Sequence, residues 1–87
     1  MAEGGTRPPR LVLYSRGYCH LCNEMRTALE ALHRELSFDL EIVDVDSDPA
    51  LERRYNELVP ILVHCGRELA RWRLDPAAFR AHLSDIG

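Results

Sequence analysis

The sequence predicts an α/β fold: a four-stranded mixed sheet with helices on both faces, in the order β-α-β-α-β-β-α. Three observations carry this. The continuous apolar run Leu11-Val12-Leu13-Tyr14 leads into leucines and a methionine at helical spacing. The helix-opening pair Asp-Pro occurs twice, at Asp48-Pro49 and at Asp75-Pro76. Between them, two short apolar stretches flank the turn residues Cys65-Gly66-Arg67, as in a β-hairpin. A chain of 87 residues, 46% hydrophobic and 29% charged, has room for one modest core. A single domain over residues 10–87 is expected, after a flexible leader at 1–9 that carries two Gly and two Pro and no apolar pattern.

The first strand begins at Arg10, and its unbroken apolar run marks it as central and covered on both faces. After a short loop, Ser15 to Tyr18, the spacing of Leu21, Met25, Leu29, Leu32 and Leu36 predicts a helix over about 19–36, with Glu30 and Arg34 paired on its outer face. Phe38, Leu40 and Ile42 alternate with Asp39 and Glu41 in a second strand that continues through Val43-Asp44-Val45-Asp46 into an acidic turn. Ser47 or Asp48 caps a short helix with Pro49 at its first position and Leu51, Tyr55 and Leu58 as its buried stripe. Ile61 to Val63 form the third strand and Glu68 to Arg73 the fourth, at the sheet edge. Asp75 caps the last helix, whose core face is Phe79, Leu83 and Ile86.

Fourteen acidic residues against eleven basic ones leave a net charge of −3. Every base among the eleven is Arg, in no long run, so the electrostatic drive for non-specific nucleic-acid binding is missing. The longest apolar run, Leu58 to Val63, falls far short of the roughly 20 residues a membrane span needs. The first ten residues offer Gly, Pro and charge instead of the apolar stretch of a secretory signal. A cytoplasmic protein without nucleic-acid or membrane partners is expected.

Chemistry concentrates at Cys19-His20-Leu21-Cys22. Three cysteines are too few for a disulfide scaffold, and in a reducing compartment this spacing points to redox or metal chemistry. Disulfide exchange needs a thiolate. Cys19 falls at the strand-to-helix junction, where unpaired backbone N–H groups and the positive helix end favour one. Cys22 lies one turn in, within reach and more shielded, which suits an attacking and a resolving thiol. Arg16 and His20 are the nearest cations in sequence. Val59-Pro60, opening the third strand, suits a cis peptide bond.

Tyr14-Ser15-Arg16-Gly17-Tyr18-Cys19-His20-Leu21-Cys22, then Val43-Asp44-Val45-Asp46, then Leu58-Val59-Pro60-Ile61-Leu62 resembles the thioredoxin superfamily, nearest the small bacterial glutaredoxin-like proteins. The resemblance covers about Arg10 to Leu83 and implies a thioredoxin-like fold. It implies Cys19 as nucleophile, Cys22 as resolving thiol and Pro60 as the cis proline. Val59 would pair through its backbone with an extended substrate. Arg16, Tyr18, His20, Val59 and Pro60 are then the substrate-binding set, Arg16 matching the basic position that glutaredoxins use near the glutathione carboxylate. Two departures stand out. Trp72-Arg73-Leu74-Asp75 replaces the Gly-Gly-x-Asp stretch where glutaredoxin backbone approaches glutathione, and Leu13 replaces the buried acid of thioredoxins.

The leading expectation is a glutaredoxin-like thiol-disulfide oxidoreductase acting through a mixed disulfide. Its partners are a disulfide-containing protein or low-molecular-weight disulfide and an external thiol or reductase. No tightly bound cofactor is expected; glutathione is a candidate reductant, against which the bulk of Trp72 and Arg73 argues. Two alternatives stay open: an iron-sulfur cluster carrier or assembly module bridged through Cys19, and a thioredoxin-like binding domain with a vestigial dithiol. His64 and Cys65 could complete a Cys3His zinc site in number, but five residues of strand would set Cys65 roughly 16 Å from Pro60, so no metal site is expected. Cys65 is read as an incidental turn cysteine. His33, His82 and the acidic residues Asp44, Asp46 and Asp48 are expected to face water, and Trp72 to cover the core or the sheet edge.

Overall fold

Leu11 and Leu13, both fully buried, set the apolar face of the sheet. They lie on β1 (Arg10–Ser15), which pairs in parallel with β2 (Asp39–Asp44) and antiparallel with β3 (Ile61–His64). The hairpin partner of β3 is β4 (Arg67–Arg71), giving the sheet order β2-β1-β3-β4. Three helices complete the expected order: α1 (His20–His33), α2 (Pro49–Tyr55) and α3 (Pro76–Ile86). The structure is a computed structural model and describes residues 8–86. Residues 1–7 of the expected leader and the side chain of Ile86 lie outside the described residues. Pro9 is already tied to the sheet, its carbonyl accepting the Asp39 N–H at 2.8 Å.

The main core lies on one face. Leu11, Leu13 and Leu62 of the sheet pack with Met25, Leu29 and Leu32 of α1, with Phe38, and with Phe79 and Leu83 of α3. Phe38 meets Phe79 edge to face at 5.2 Å between ring centroids. A smaller cluster of Cys22, Val45 and Val59 forms with Tyr14, Leu51 and Tyr55, so α2 covers the other face. Coverage there is thin, because α2 has two turns and no fully buried residue; Val12 and Tyr14 of β1 are accordingly only half-buried.

Several boundaries differ from the sequence expectation, each for a local reason. The stripe that buries α1 is Cys22, Met25, Leu29 and Leu32; Leu21 is only half-buried. The helix ends at His33, where Arg34 and Glu35 N–H groups bond three residues back in a tightened last turn that returns the chain to Phe38. On its outer face Glu30 pairs with Arg26, at 4.0 Å. β2 stops at Asp44, because the Asp44 carboxylate takes the Asp46 N–H at 2.9 Å and the Ser47 hydroxyl donates to the Asp44 carbonyl at 2.6 Å. A single 3-10 turn, Val45–Ser47, follows and buries Val45 fully. Ile42, on the edge strand β2, is 45% exposed. Asp48 is the cap of α2, accepting the Ala50 N–H at 2.8 Å. The hairpin turn has positive φ at both central residues, 52° at Cys65 and 78° at Gly66, the hand that matches strand twist. β4 ends at Arg71, so Trp72 and Arg73 lie beyond the strand. Asp75 caps α3 through the Ala77 and Ala78 N–H groups.

Removing the Phe38 ring leaves a cavity between α1 and α3. Phe38→Ala is expected to lower stability by about 3–5 kcal/mol in urea denaturation. Arg80 of α3 grips Glu35, after α1, with two hydrogen bonds of 2.9 and 3.3 Å, and this holds the Glu35 carboxyl below its ordinary 4.5. A carboxyl with a depressed folded-state pKa contributes fully above the ordinary value and loses that contribution as it protonates. The melting difference between wild type and Glu35→Gln is therefore expected to shrink as pH falls below 4.5.

Candidate active site

Cys22 lies on the core stripe of α1, one turn inside the helix end at which Cys19 sits. Cys19 is the N-cap, with extended backbone (φ −110°, ψ 112°), and its Sγ accepts the Cys22 N–H at 3.1 Å. The two cysteines form a disulfide across a Cα–Cα distance of 5.1 Å. Cys22 is 3% exposed, whereas Cys19 is half-buried at the surface of the same cluster. One sulfur is therefore open to a partner and the other is screened.

Val59 joins this cluster directly, and the Val59–Pro60 peptide bond is cis. Pro60 is fully buried, and its carbonyl accepts the Trp72 N–H at 2.8 Å. Cys19, Cys22, Val59 and Pro60 are thus brought together at one end of the sheet. Tyr18, the residue before the N-cap, is 100% exposed. His20 turns along the outer face of α1 and pairs with Glu24 at 2.8 Å. Arg16 is held on the other side of the loop, its Nε donating to Asp46 at 3.1 Å and its Nη2 lying 3.9 Å from Glu52. Those two carboxylates offset the guanidinium charge before any substrate arrives. The group that faces the Cys19 sulfur directly is the Cys22 N–H at the helix end.

A cavity of about 310 Å³ opens behind the dithiol, reaching Cys22 past Arg16, Asn23, Arg26 and Asp44. Leu13 lines it too, so an apolar side chain stands where thioredoxins place an acid. Tyr14 stacks on Tyr55 at 4.3 Å beside the cluster. Burial, and then Tyr55, push the Tyr14 hydroxyl above its ordinary 10, which keeps it neutral.

Sequence reasoning missed several features. Asp44, Asp46 and Asp48 are exposed as expected, but they also make a turn, hold Arg16 and cap α2, respectively. The Asp spacing at two-residue intervals before Pro49 was the available signal. His82 is half-buried, with its Nε2 3.1 Å from His64 Nδ1, whereas His33 is exposed as expected while its ring packs edge-on against Phe38 at 5.1 Å. Nothing in the local sequence marks either contact. Trp72 neither covers the core nor belongs to the edge strand; it is 48% exposed, has φ 67°, and donates its indole N–H to the Glu57 carbonyl at 3.2 Å. Its signal was a bulky residue in a stretch where the resembling family has glycine. Cys65 is exposed in the hairpin turn, with the length of β3 between it and Pro60. Among the described residues, no three His, Cys, Asp or Glu side chains gather in a metal-binding group, and no helix is long and apolar enough to cross a membrane.

Comparison with known proteins agrees with this geometry. The uncharacterized protein Rv0508 of Mycobacterium tuberculosis is 30% identical over 81 residues, covering 87% of this chain and 84% of that protein. The solution structure of protein Ne2328 from Nitrosomonas europaea superimposes with a TM-score of 0.76 at 35% identity, covering 93% of this chain and 98% of that one. Thioredoxin 1 from Thermosipho africanus, at 15% identity and a TM-score of 0.61 over 88% of this chain and 97% of its own, shares the fold. The family model described as "Glutaredoxin-like domain (DUF836)" matches residues 10–84, and the chain accordingly belongs to this glutaredoxin-like family of the thioredoxin superfamily.

Proposed function

We propose that the protein is a thiol-disulfide oxidoreductase working through Cys19 and Cys22. The observation that carries this reading is Cys19 as the N-cap of α1, its sulfur receiving the Cys22 N–H, with Cys22 screened behind it at disulfide distance. In the reduced protein, the same N–H and the helix end favour the Cys19 thiolate. That thiolate attacks one sulfur of a substrate disulfide; the substrate S–S bond breaks, and one substrate thiolate leaves. Cys22 then loses its proton and attacks Cys19 Sγ, which releases the second substrate thiolate and forms the Cys19–Cys22 disulfide. Two electrons have passed from the dithiol to the substrate. An external thiol or a reductase returns them.

Val59, packed against Cys22 and next to the cis bond, is the backbone edge on which an extended substrate segment would pair. Arg16 fits glutathione recognition poorly, because Asp46 and Glu52 already occupy its guanidinium. The side chain of Trp72, beside Pro60, supports the same conclusion: glutathione serves at most as a passing reductant, and a protein disulfide is the better substrate.

Cys22→Ser is expected to trap a mixed disulfide at Cys19 with a disulfide substrate, seen as an added mass that dithiothreitol removes, whereas Cys19→Ser traps none. A Cys22→Ser protein whose Cys19 is alkylated normally, yet which captures no disulfide, would count against the scheme. In the reduced wild type, the iodoacetamide reaction at Cys19 is expected to reach half its maximal rate below about pH 8.5, the ordinary cysteine value, with Cys22 reacting much more slowly.

A further inference from the structure

Trp72 carries a conformation and an exposure that packing alone does not explain. Its φ of 67° lies in the left-handed region, where a bulky side chain is rare and glycine is at ease. Strain of this kind persists where the surroundings hold it, and it collects at functional sites. Here two bonds hold it: the backbone N–H to the Pro60 carbonyl at 2.8 Å, and the indole N–H to the Glu57 carbonyl at 3.2 Å. The first sets the Trp72 backbone directly beside Pro60, the second holds the indole against the Glu57 carbonyl, and 48% of the residue is left exposed. Beside it, a cavity of about 270 Å³ runs between Trp72, Arg73 and Leu74 and the α1 residues Glu24, Met25 and Ala28. Met25 follows Cys22 by one helical turn on the same buried stripe. The two charged residues lining the cavity, Glu24 and Arg73, are of opposite sign, so it selects for neither charge.

We infer that Trp72 is a specificity-determining residue, and that the cleft it walls takes a large apolar side chain within two residues of the substrate's cystine. The substrate is then an extended segment of a protein disulfide. Its backbone pairs along Val59 while the indole and the half-buried Leu74 beside it contact the flanking side chain. This rests on the exchange chemistry proposed above and adds no step to it.

The test uses single-turnover reduction of two peptide disulfides that differ only beside the cystine, Leu in one and Ser in the other. The reduced protein is mixed with excess peptide, quenched with an alkylating agent and read by mass spectrometry. The readout is the ratio of the two rates within each variant. Trp72→Gly suits the left-handed backbone, so its fold is expected to survive, and Trp72→Phe keeps an aromatic face while losing the indole N–H. Wild type is expected to prefer the Leu peptide by about tenfold, the range a hydrophobic contact supplies. Trp72→Gly should bring the ratio close to one, and Trp72→Phe should keep most of it.

A wild-type ratio near one, or a preference that survives Trp72→Gly, overturns the inference. A preference lost equally in Trp72→Phe also overturns it, since the indole would then act only by bonding the Glu57 turn. A wild-type protein that reduces neither peptide nor bis(2-hydroxyethyl) disulfide overturns the exchange chemistry itself, and this inference with it.

Discussion

Burial of Cys22 on the same helical stripe as Met25, Leu29 and Leu32 is the constraint from which the site follows. A helix that presents those four side chains to the sheet has no freedom to rotate without exposing leucine, at a cost of about 1.5–3 kcal/mol for each large apolar side chain. With that rotation fixed and the helix beginning at His20, the residue three before Cys22 is the N-cap. Its side chain is then the nearest acceptor for the N–H of Cys22. The dithiol geometry thus follows from core packing together with where the helix begins. The sheet completes it by placing β3 next to β1, which brings Val59 into contact with Cys22 at the end of the central strand.

Magnitudes decide which group tunes the attacking sulfur. A charge at a helix end gains roughly 0.3–1 kcal/mol when exposed and up to about 2 when partly buried. On that scale the helix end and the Cys22 N–H would favour the Cys19 thiolate of the proposed exchange. Arg16 adds little, because its charge is shared between Asp46 and Glu52. His20 is drawn outward by Glu24.

The sequence was informative wherever the physics is local. The strand-to-helix junction at Cys19, the Asp-Pro openings of α2 and α3, the turn at Cys65-Gly66 and the Val59-Pro60 start of β3 each depend on a few adjacent residues, and each is where expected. What was not legible depends on residues distant in the chain. Arg16 finds Asp46 thirty positions away, and His64 finds His82 eighteen away. The Trp72 backbone bonds to Pro60 across the hairpin, which ends β4 two residues earlier than its composition implied. Thin cover by α2 has the same origin, since a seven-residue helix read as a buried stripe proves too short to shield Val12 and Tyr14 fully.

The central claim is that Cys19 and Cys22 form a reversible redox couple. Its most direct test is equilibration of the purified protein in glutathione buffers of graded potential, quenched with an alkylating agent and read by peptide mass spectrometry at Cys19, Cys22 and Cys65. The account predicts a single two-electron transition joining Cys19 to Cys22, with a midpoint between about −270 and −180 mV and Cys65 outside the couple. A protein in which no Cys19–Cys22 disulfide forms anywhere in that range would contradict it.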